Sequence, residues 1–591
     1  MEKKRIGFWI CSALVFLLML AILELNQNTL WGWLLICVAS AVFWFLQARF
    51  LKNCRWYLRL ASWLVWLAVF SGILLLTWPP VRPVPAAEHS AGRTEIVTVS
   101  GGGVRGVLTE DGSVEVFAGI PYAQPPVGEL RWCEPVPAEP WEGVLEADHF
   151  GPMSMQPTNL PIYNSLTRIV GYHDYRISLR DNYTPPVSED SLYLNIWRPA
   201  DGGRDLPVLV YVHGGSLQTG QPWYGDYSGE GLAREGIIVV NMAYRLGVFG
   251  FFADEGLSAE SPHGTTGNYG LLDQILALRW VQENIAAFGG DPGNVTLAGE
   301  SAGSASVSAL CASPLASGLF RRAVLESSTV VSAQPPHSFR LMDEALESGT
   351  DLLARHACAA AEELRRVPAA ELVQEADTQH HITVDGYVLS QLPRDAYLSG
   401  NFNESAILHG YNSEESGPFI LFSQANLSNY EEKVRGYFGP LADEVLALYP
   451  AKTDREARDN WAEIFGAAFF DYPHYCLNRL AAEQGIPVWE YCFSRENGRL
   501  GPWHSGEEIY LYGNLPASSP LFNDRDYELS RQMLSYFANF CRTGDPNGEG
   551  LPRWEQNFSS EDLMGFGDET SMIRERKTAL YEILDRMTGW T

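Results

Sequence analysis

The chain has 591 residues, 46% of them hydrophobic, and a formal net charge of −29 from 42 basic and 71 acidic side chains. That length exceeds one small domain and can fill a large core. The acidity argues against a nucleic-acid partner, which is held by neutralising phosphates, and against attraction to anionic lipid; solubility is its simplest reading.

The first 78 residues differ from the rest. Residues 6–23, 25–48 and 60–78 are charge-free or nearly so, and each holds a run of about 17–20 apolar residues, enough to cross a hydrocarbon core as a helix. A signal peptide accounts for the first run only, and core helices seldom lack a polar stripe three times in succession. A three-span membrane anchor over residues 1–78 is therefore predicted. Lys3, Lys4 and Arg5 precede the first span, and Arg49, Lys52, Arg55 and Arg59 separate the second from the third. The connection Asn26-Gln27-Asn28-Thr29 has no basic residue. The positive-inside rule puts the N-terminus and the 49–59 loop in the cytoplasm, and three crossings put the remainder outside the cell membrane. Residues 1–78 carry seven basic and two acidic side chains, and the remainder carries 35 and 69.

Residues 79–93 begin Pro79-Pro80-Val81-Arg82-Pro83-Val84-Pro85, which reads as a stiff extended spacer. Residues 94–591 read as one globular domain without repeats. Apolar runs of strand length recur at 208–212, 237–243, 295–298, 323–325, 406–408 and 488–493, with helical stretches between them such as 271–287. Apolar strands alternating with amphipathic helices predict an α/β fold with a mostly parallel sheet covered on both faces. No cysteine or histidine cluster has metal-ligand spacing, so no metal or cofactor is expected.

Gly299-Glu300-Ser301-Ala302-Gly303 follows the apolar run Val295-Thr296-Leu297-Ala298 and precedes a small-residue helical stretch. Strand, Gly-x-Ser-x-Gly, helix is the pattern of a nucleophile elbow, in which glycines permit the sharp turn that lifts a serine hydroxyl above the sheet edge. Such a serine needs a base and an orienting acid. Seven histidines follow Ser301, at 337, 356, 380, 381, 409, 474 and 504, and spacing alone does not choose among them. Local context favours His504, in a short loop after the last apolar run. Of the acids after the preceding run, Glu414 and Glu415 fit equally. Leu206 to Val212 leads into His213-Gly214-Gly215-Ser216, a glycine loop able to aim N–H groups at an oxyanion, and Ala302 supplies another.

The outer domain resembles the type-B carboxylesterase and cholinesterase family of α/β-hydrolases. The matching stretches are Phe117-Ala118-Gly119-Ile120-Pro121-Tyr122-Ala123-Gln124-Pro125-Pro126-Val127-Gly128, Ser188-Glu189-Asp190-Ser191-Leu192-Tyr193-Leu194-Asn195, the block from Asn268-Tyr269-Gly270 through Phe288-Gly289-Gly290-Asp291-Pro292 into the elbow, and Asn539-Phe540-Cys541-Arg542-Thr543-Gly544-Asp545-Pro546. The resemblance implies an α/β-hydrolase fold, a catalytic Ser301, Glu415 and His504, oxyanion donors at Gly215, Ser216 and Ala302, and a buried structural ion pair of Arg131 with Glu189. Most members of the family have glycine where Ser216 stands. The positions of the family's first disulfide are Ser154 and Ser191 here, as in bacterial rather than animal members. No tryptophan lies between Ser154 and Ser188, where cholinesterases bind choline, so that segment is expected to form a different gorge wall. The implied activity is hydrolysis of small carboxylic esters through an acyl-enzyme. The same fold also serves membrane-tethered adhesion proteins resembling neuroligins, which lose the nucleophile, and a thioesterase or peptidase could use the same triad.

Overall fold

The computed structural model describes residues 2–170, 183–329, 339–375, 378–421, 423–497, 501–517, 519–557, 562–574 and 577–590. It divides into two compact units, Met1–Pro83 with Thr158–Pro186, and Val84–Pro157 with Val187–Thr591.

The first unit contains α1 (Glu2–Leu25), α2 (Leu30–Arg49) and α3 (Trp56–Leu76), followed by α4 (Pro161–Val170). Three windows, Ile6–Leu25, Leu30–Arg49 and Trp56–Leu76, are long and apolar enough to cross a membrane. At most 28% of each window is buried, so most of the apolar surface is bare. The third helix starts four residues earlier than the apolar run suggests, because Arg59 donates to the Leu51 and Lys52 carbonyls instead of ending the helix. Where the helices meet, Phe43 stacks on Trp66 with ring centroids 4.3 Å apart, and Trp66 Nε1 donates to Ser40 Oγ at 3.2 Å. The 26–29 turn is closed by polar bonds: Asn28 Nδ2 donates to the Leu74 carbonyl at 2.8 Å and to Thr77 Oγ1 at 2.9 Å.

The Pro-rich stretch is split between the units. Arg82 N donates to the Thr184 carbonyl, and Thr184 N to the Pro80 carbonyl, within the first. In the second, Phe150 N donates to the Val84 carbonyl and Ala86 N to the Asp148 carbonyl. The division at Pro83 and Val84 falls ten residues before the boundary that composition suggests, because Val84 and Ala86 are held by backbone pairing and not by solvent.

The second unit is built on an eleven-stranded sheet: β1 (Val107–Leu108), β2 (Val114–Pro121), β3 (Tyr193–Pro199), β4 (Leu206–Val212), β5 (Ile238–Met242), β6 (Gly290–Glu300), β7 (Arg322–Glu326), β8 (Ile407–Asn412), β9 (Val488–Phe493), β10 (Leu563–Phe566) and β11 (Thr570–Ile573). Their spatial order is β11-β10-β9-β8-β7-β6-β4-β5-β3-β2-β1. From β5 to β10 all neighbours are parallel, and the flanking strands are antiparallel. Every residue of β5, β7, β8 and β9 is buried. That is the signature of strands covered on both faces, here by helices that include α5 (Tyr269–Asn284) and α6 (Ala302–Ala312).

The chain lays β5 on one side of β4 and then crosses to lay β6 on the other. At such a reversal the connections leave the two strand ends in opposite directions and open a crevice above their carboxyl ends. The sequence motifs stand there, with His213 following β4 and Ser301 following β6.

Arg131 and Glu189 form the expected pair, with Nη2–Oε1 at 2.6 Å and Nε–Oε2 at 2.7 Å. Among the described residues no disulfide links the nine cysteines, and Ser154 Oγ donates to the Tyr244 carbonyl at 2.8 Å. The expected gorge-wall segment 154–188 splits: from Thr158 to Pro186 its described residues belong to the helical unit, and 171–182 lie outside the described residues.

Candidate active site

Ser301 sits between the end of β6 and the start of α6 with φ 53° and ψ −122°, a region that L-residues avoid. Holding a non-glycine residue there costs about 1–3 kcal/mol, so the surroundings must fix it. They do: Ser301 N donates to the Glu326 carbonyl at 2.9 Å, and Ala305 N closes the first turn of α6 on the Ser301 carbonyl. A Cβ on Gly303 would overlap the Val212 carbonyl oxygen, and one on Gly299 would stand 2.6 Å from the Gly303 carbonyl carbon. The two glycines of the pentapeptide are thus demanded by close packing of strand, turn and helix.

Gly215 follows β4 with φ 106°, and Ser216 and Leu217 both have φ near +57°. Among the described residues neither the Gly215 nor the Ser216 N–H has a protein acceptor. Ala302, the first residue of α6, contributes one of the N–H groups that a helix start leaves without an intrahelical partner. His213 shapes this loop. Its Nδ1 donates to the Gly214 carbonyl at 2.9 Å, its ring lies on Tyr244, and burial pushes it down to about 4, so it stays neutral.

His504 lies in the 501–506 loop. Its Nδ1 is 2.5 Å from Glu415 Oε2, and the other Glu415 oxygen accepts the Asn412 N–H at 2.7 Å. Glu415 is fully buried, and burial pushes its carboxyl up to about 8 against the opposing hydrogen bonds of the Asn412 N–H and Ser327. Glu414 is exposed on the far side of the turn, where its backbone pairs with Trp503. The structure therefore brings Glu415, and not Glu414, to His504. His504 Nε2 is 3.2 Å from Oε1 of Glu300, the residue before Ser301. Phe419 meets the imidazole edge-on at 4.9 Å and Phe470 lies 5.1 Å away.

Residue patterns did not single out the buried acids around this loop. Glu300 accepts from Ser505 Oγ at 2.6 Å, Glu507 from Ser327 Oγ at 2.8 Å, Glu326 from the Tyr512 hydroxyl at 3.1 Å, and Glu508 from the Tyr211 hydroxyl. Burial raises all four, Glu507 to about 7. Asn412 joins the two loops, its Nδ2 donating to Glu507 and, at 2.9 Å, to the Trp503 carbonyl. Glu300 was visible as the second residue of the pentapeptide; the others carry no local signal.

A serine on a strained strand-to-helix turn at the switch point of a mostly parallel sheet, preceded by a glutamate whose carboxyl lies 3.2 Å from a histidine bonded to a second buried glutamate, defines the α/β-hydrolase class. The Carboxylesterase family model matches residues 93–583. The fumonisin B1 esterase of Sphingopyxis macrogoltabida is 33% identical over 537 residues, 86% of this chain and 94% of that protein. Carboxylesterase 1C of Rattus norvegicus is 31% identical, over 85% of this chain and 95% of its own. Among solved structures, a PNB esterase superposes with a TM-score of 0.69 at 29% identity, covering 83% of this chain and 99% of that one. The chain belongs to the carboxylesterase family of carboxylic ester hydrolases.

Proposed function

We propose that the protein is a membrane-anchored serine carboxylesterase whose catalytic unit lies outside the cell. The observation that carries the catalytic part is the bonded His504–Glu415 pair beside an elbow that holds Ser301 in a strained turn. Ser301 Oγ attacks the ester carbonyl while His504 Nε2 takes its proton. Glu415, bonded to Nδ1, keeps the tautomer that leaves Nε2 free to accept and stabilises the imidazolium that forms. The N–H groups of Gly215, Ser216 and Ala302 hold the oxyanion; each such donor is worth about 3 kcal/mol at the transition state. His504 then protonates the leaving alcohol, and water repeats the sequence to release the acid from the acyl-enzyme. Glu300 gives the imidazolium a second carboxyl neighbour on its Nε2 side. Phe419 and Phe470 keep water from that ring and present an apolar wall to the substrate.

The test is Ser301→Ala in the full-length protein. Hydrolysis of a 4-nitrophenyl ester should fall by about 10⁴-fold or more with the thermal midpoint unchanged. Turnover within about tenfold of wild type would remove Ser301 from the mechanism. Orientation rests on the basic residues around the first and third helices. Protease added to sealed cells stripped of their wall should reach the catalytic unit, and protection until lysis would reverse the assignment.

A further inference from the structure

Over residues 160–166 the helix α4 is built inside out. Leu160, at its N-terminal boundary, and Tyr163 and Leu166 within it follow one another at a spacing of three, which places them on one helical stripe. They are 60%, 54% and 46% exposed. Pro161 and Ser165, four apart on another stripe, are buried, and Ser165 is 0% exposed. A helix on a water-soluble surface does the opposite, hiding its large apolar residues and exposing serine. The apolar helices of the same unit also leave large apolar residues exposed, although Met19, Leu23, Ile36 and Phe43 are buried along with their serines. In α1 Ser12 is buried while Leu14, Leu17 and Leu18 are exposed, and in α2 Ser40 is buried while Val38 is exposed. Within this unit α4 packs against α1.

We propose that the Leu160–Tyr163–Leu166 face of α4 lies in the bilayer interface as a second membrane contact, directing the catalytic unit to lipophilic esters dissolved in the bilayer. This rests on the reading of α1, α2 and α3 as membrane spans. The occupant is lipid because the apolar stripe belongs to a helix packed against α1, whose exposed apolar residues only a bilayer would cover. At ten residues α4 is about 15 Å long, half of a hydrocarbon core, and is too short to cross it. A tyrosine between two leucines suits the interface, where the ring is apolar and the hydroxyl stays wet.

The link to substrate comes from where this excursion is rooted. Its two ends are pinned in the catalytic unit by a parallel pairing of Met153 with Val187 and Ser154 with Ser188. Gln156, just before it leaves, exchanges two hydrogen bonds with Gly220: Nε2 to the Gly220 carbonyl at 2.8 Å, and Gly220 N to Oε1 at 3.0 Å. Gly220 packs against His213 and the Gly214 carbonyl, so the root grips the oxyanion loop. Three residues of chain separate Gln156 from Leu160, a span of at most about 14 Å of extended backbone.

The experiment uses the full-length protein in phosphatidylcholine vesicles that contain a diazirine-bearing phosphatidylcholine. After irradiation, lipid adducts are mapped by peptide mass spectrometry. Adducts on the three spans and on peptides covering 158–166 support the proposal. Adducts on the spans alone overturn it while leaving the membrane reading intact, and spans free of adducts overturn both. In parallel, Leu160→Glu with Tyr163→Glu and Leu166→Glu is compared with wild type on two esters, water-soluble 4-nitrophenyl acetate and vesicle-dissolved 4-nitrophenyl palmitate. The variant should keep its acetate turnover and lose about tenfold of its palmitate turnover. Equal turnover of both by variant and wild type, or equal loss on both, overturns the link between this face and the substrate. Should the variant not fold, the wild-type adduct map still decides the contact.

Discussion

The two units bury polar groups for different reasons. In the helical unit, Ser40 and Asn28 are inside because the outside is apolar, and their hydrogen bonds close a helix crossing and a turn. In the catalytic unit the outside is acidic and the core apolar, yet five glutamates, at 300, 326, 415, 507 and 508, are buried around one loop. Their hydrogen-bond partners are hydroxyls, Asn412 and His504, and burial raises every one of them. A group buried for architecture should cost stability when removed. A group buried for chemistry should cost activity and leave stability the same or higher, since nothing in the fold depends on its charge.

Glu415 is the sharpest case. Glu415→Gln keeps the shape and the Asn412 bond but can present an N–H to His504 and lock the wrong tautomer. Turnover should fall by about 10⁴-fold with no loss of thermal midpoint. Glu414→Gln should change turnover by less than about threefold, because that side chain is exposed. If Glu414→Gln is the more damaging, the assignment of the acid is off by one residue. If Glu415→Gln unfolds the protein, its burial is architectural and the comparison fails.

What was legible in the sequence follows the same divide. The elbow could be read because strand, glycines and serine are adjacent in the chain and the strain is local to them. The parallel centre could be read because strands buried on both faces are continuous apolar runs. The edge strands β1 and β11 and the next strand in, β10, could not, since two to four residues such as Leu563–Phe566 give no period. The start of β6 could not, since Gly290-Asp291-Pro292-Gly293 reads as a turn. Glu414 and Glu415 were equivalent because only the exit of the chain from β8 decides which carboxylate turns inward. Glu326, Glu507 and Glu508 carry no local signal; their burial is set with Tyr211, Ser327, Asn412 and Tyr512 from four separate stretches. The inversion of α4 was invisible for the same reason, because its pattern reports one apolar side but not which side is covered.

The raised carboxyls predict a pH dependence with a definite sign. Glu507 moves from 4.5 to about 7 on folding, so between those values the folded state holds a proton that the unfolded state has lost. Its contribution is complete below the unfolded value and disappears as pH rises through the folded one, at about 1.4 kcal/mol per unit. Glu507→Gln, neutral at every pH, should match wild type at pH 4 to 5 (roughly the unfolded carboxyl range) and exceed it at alkaline pH. Thermal melts across that range test this; a parallel decline in both proteins would mean that Glu507 ionises without cost. In the helical unit Asn28→Ala should instead lose about 1–2 kcal/mol at every pH, because it leaves the Leu74 carbonyl and Thr77 hydroxyl short of a donor, with ester turnover unchanged.

The smallest effect separates strain kept for function from strain that is incidental. Ser216 in the oxyanion loop and Gln27 in the helical hairpin both hold a left-handed backbone, with φ 57° and 56°. Glycine adopts that conformation without penalty, and the relief of about 1–2 kcal/mol per residue is partly offset by the greater freedom of glycine in the unfolded chain. Ser216→Gly and Gln27→Gly should each gain about 0.5 kcal/mol. Their consequences for turnover should differ. Gln27 has no part in the proposed mechanism, so its variant should match wild type. In the proposed mechanism Ser216 lends its N–H to the oxyanion; it sits beside Leu217, itself at φ 58°, so two adjacent residues fix the direction of that donor. Releasing one loosens the aim of a group worth about 3 kcal/mol at the transition state, and kcat should fall by about two- to fivefold while KM holds. A rise in kcat on Ser216→Gly would mean that the serine restricts the hole and that its strain serves no catalytic end.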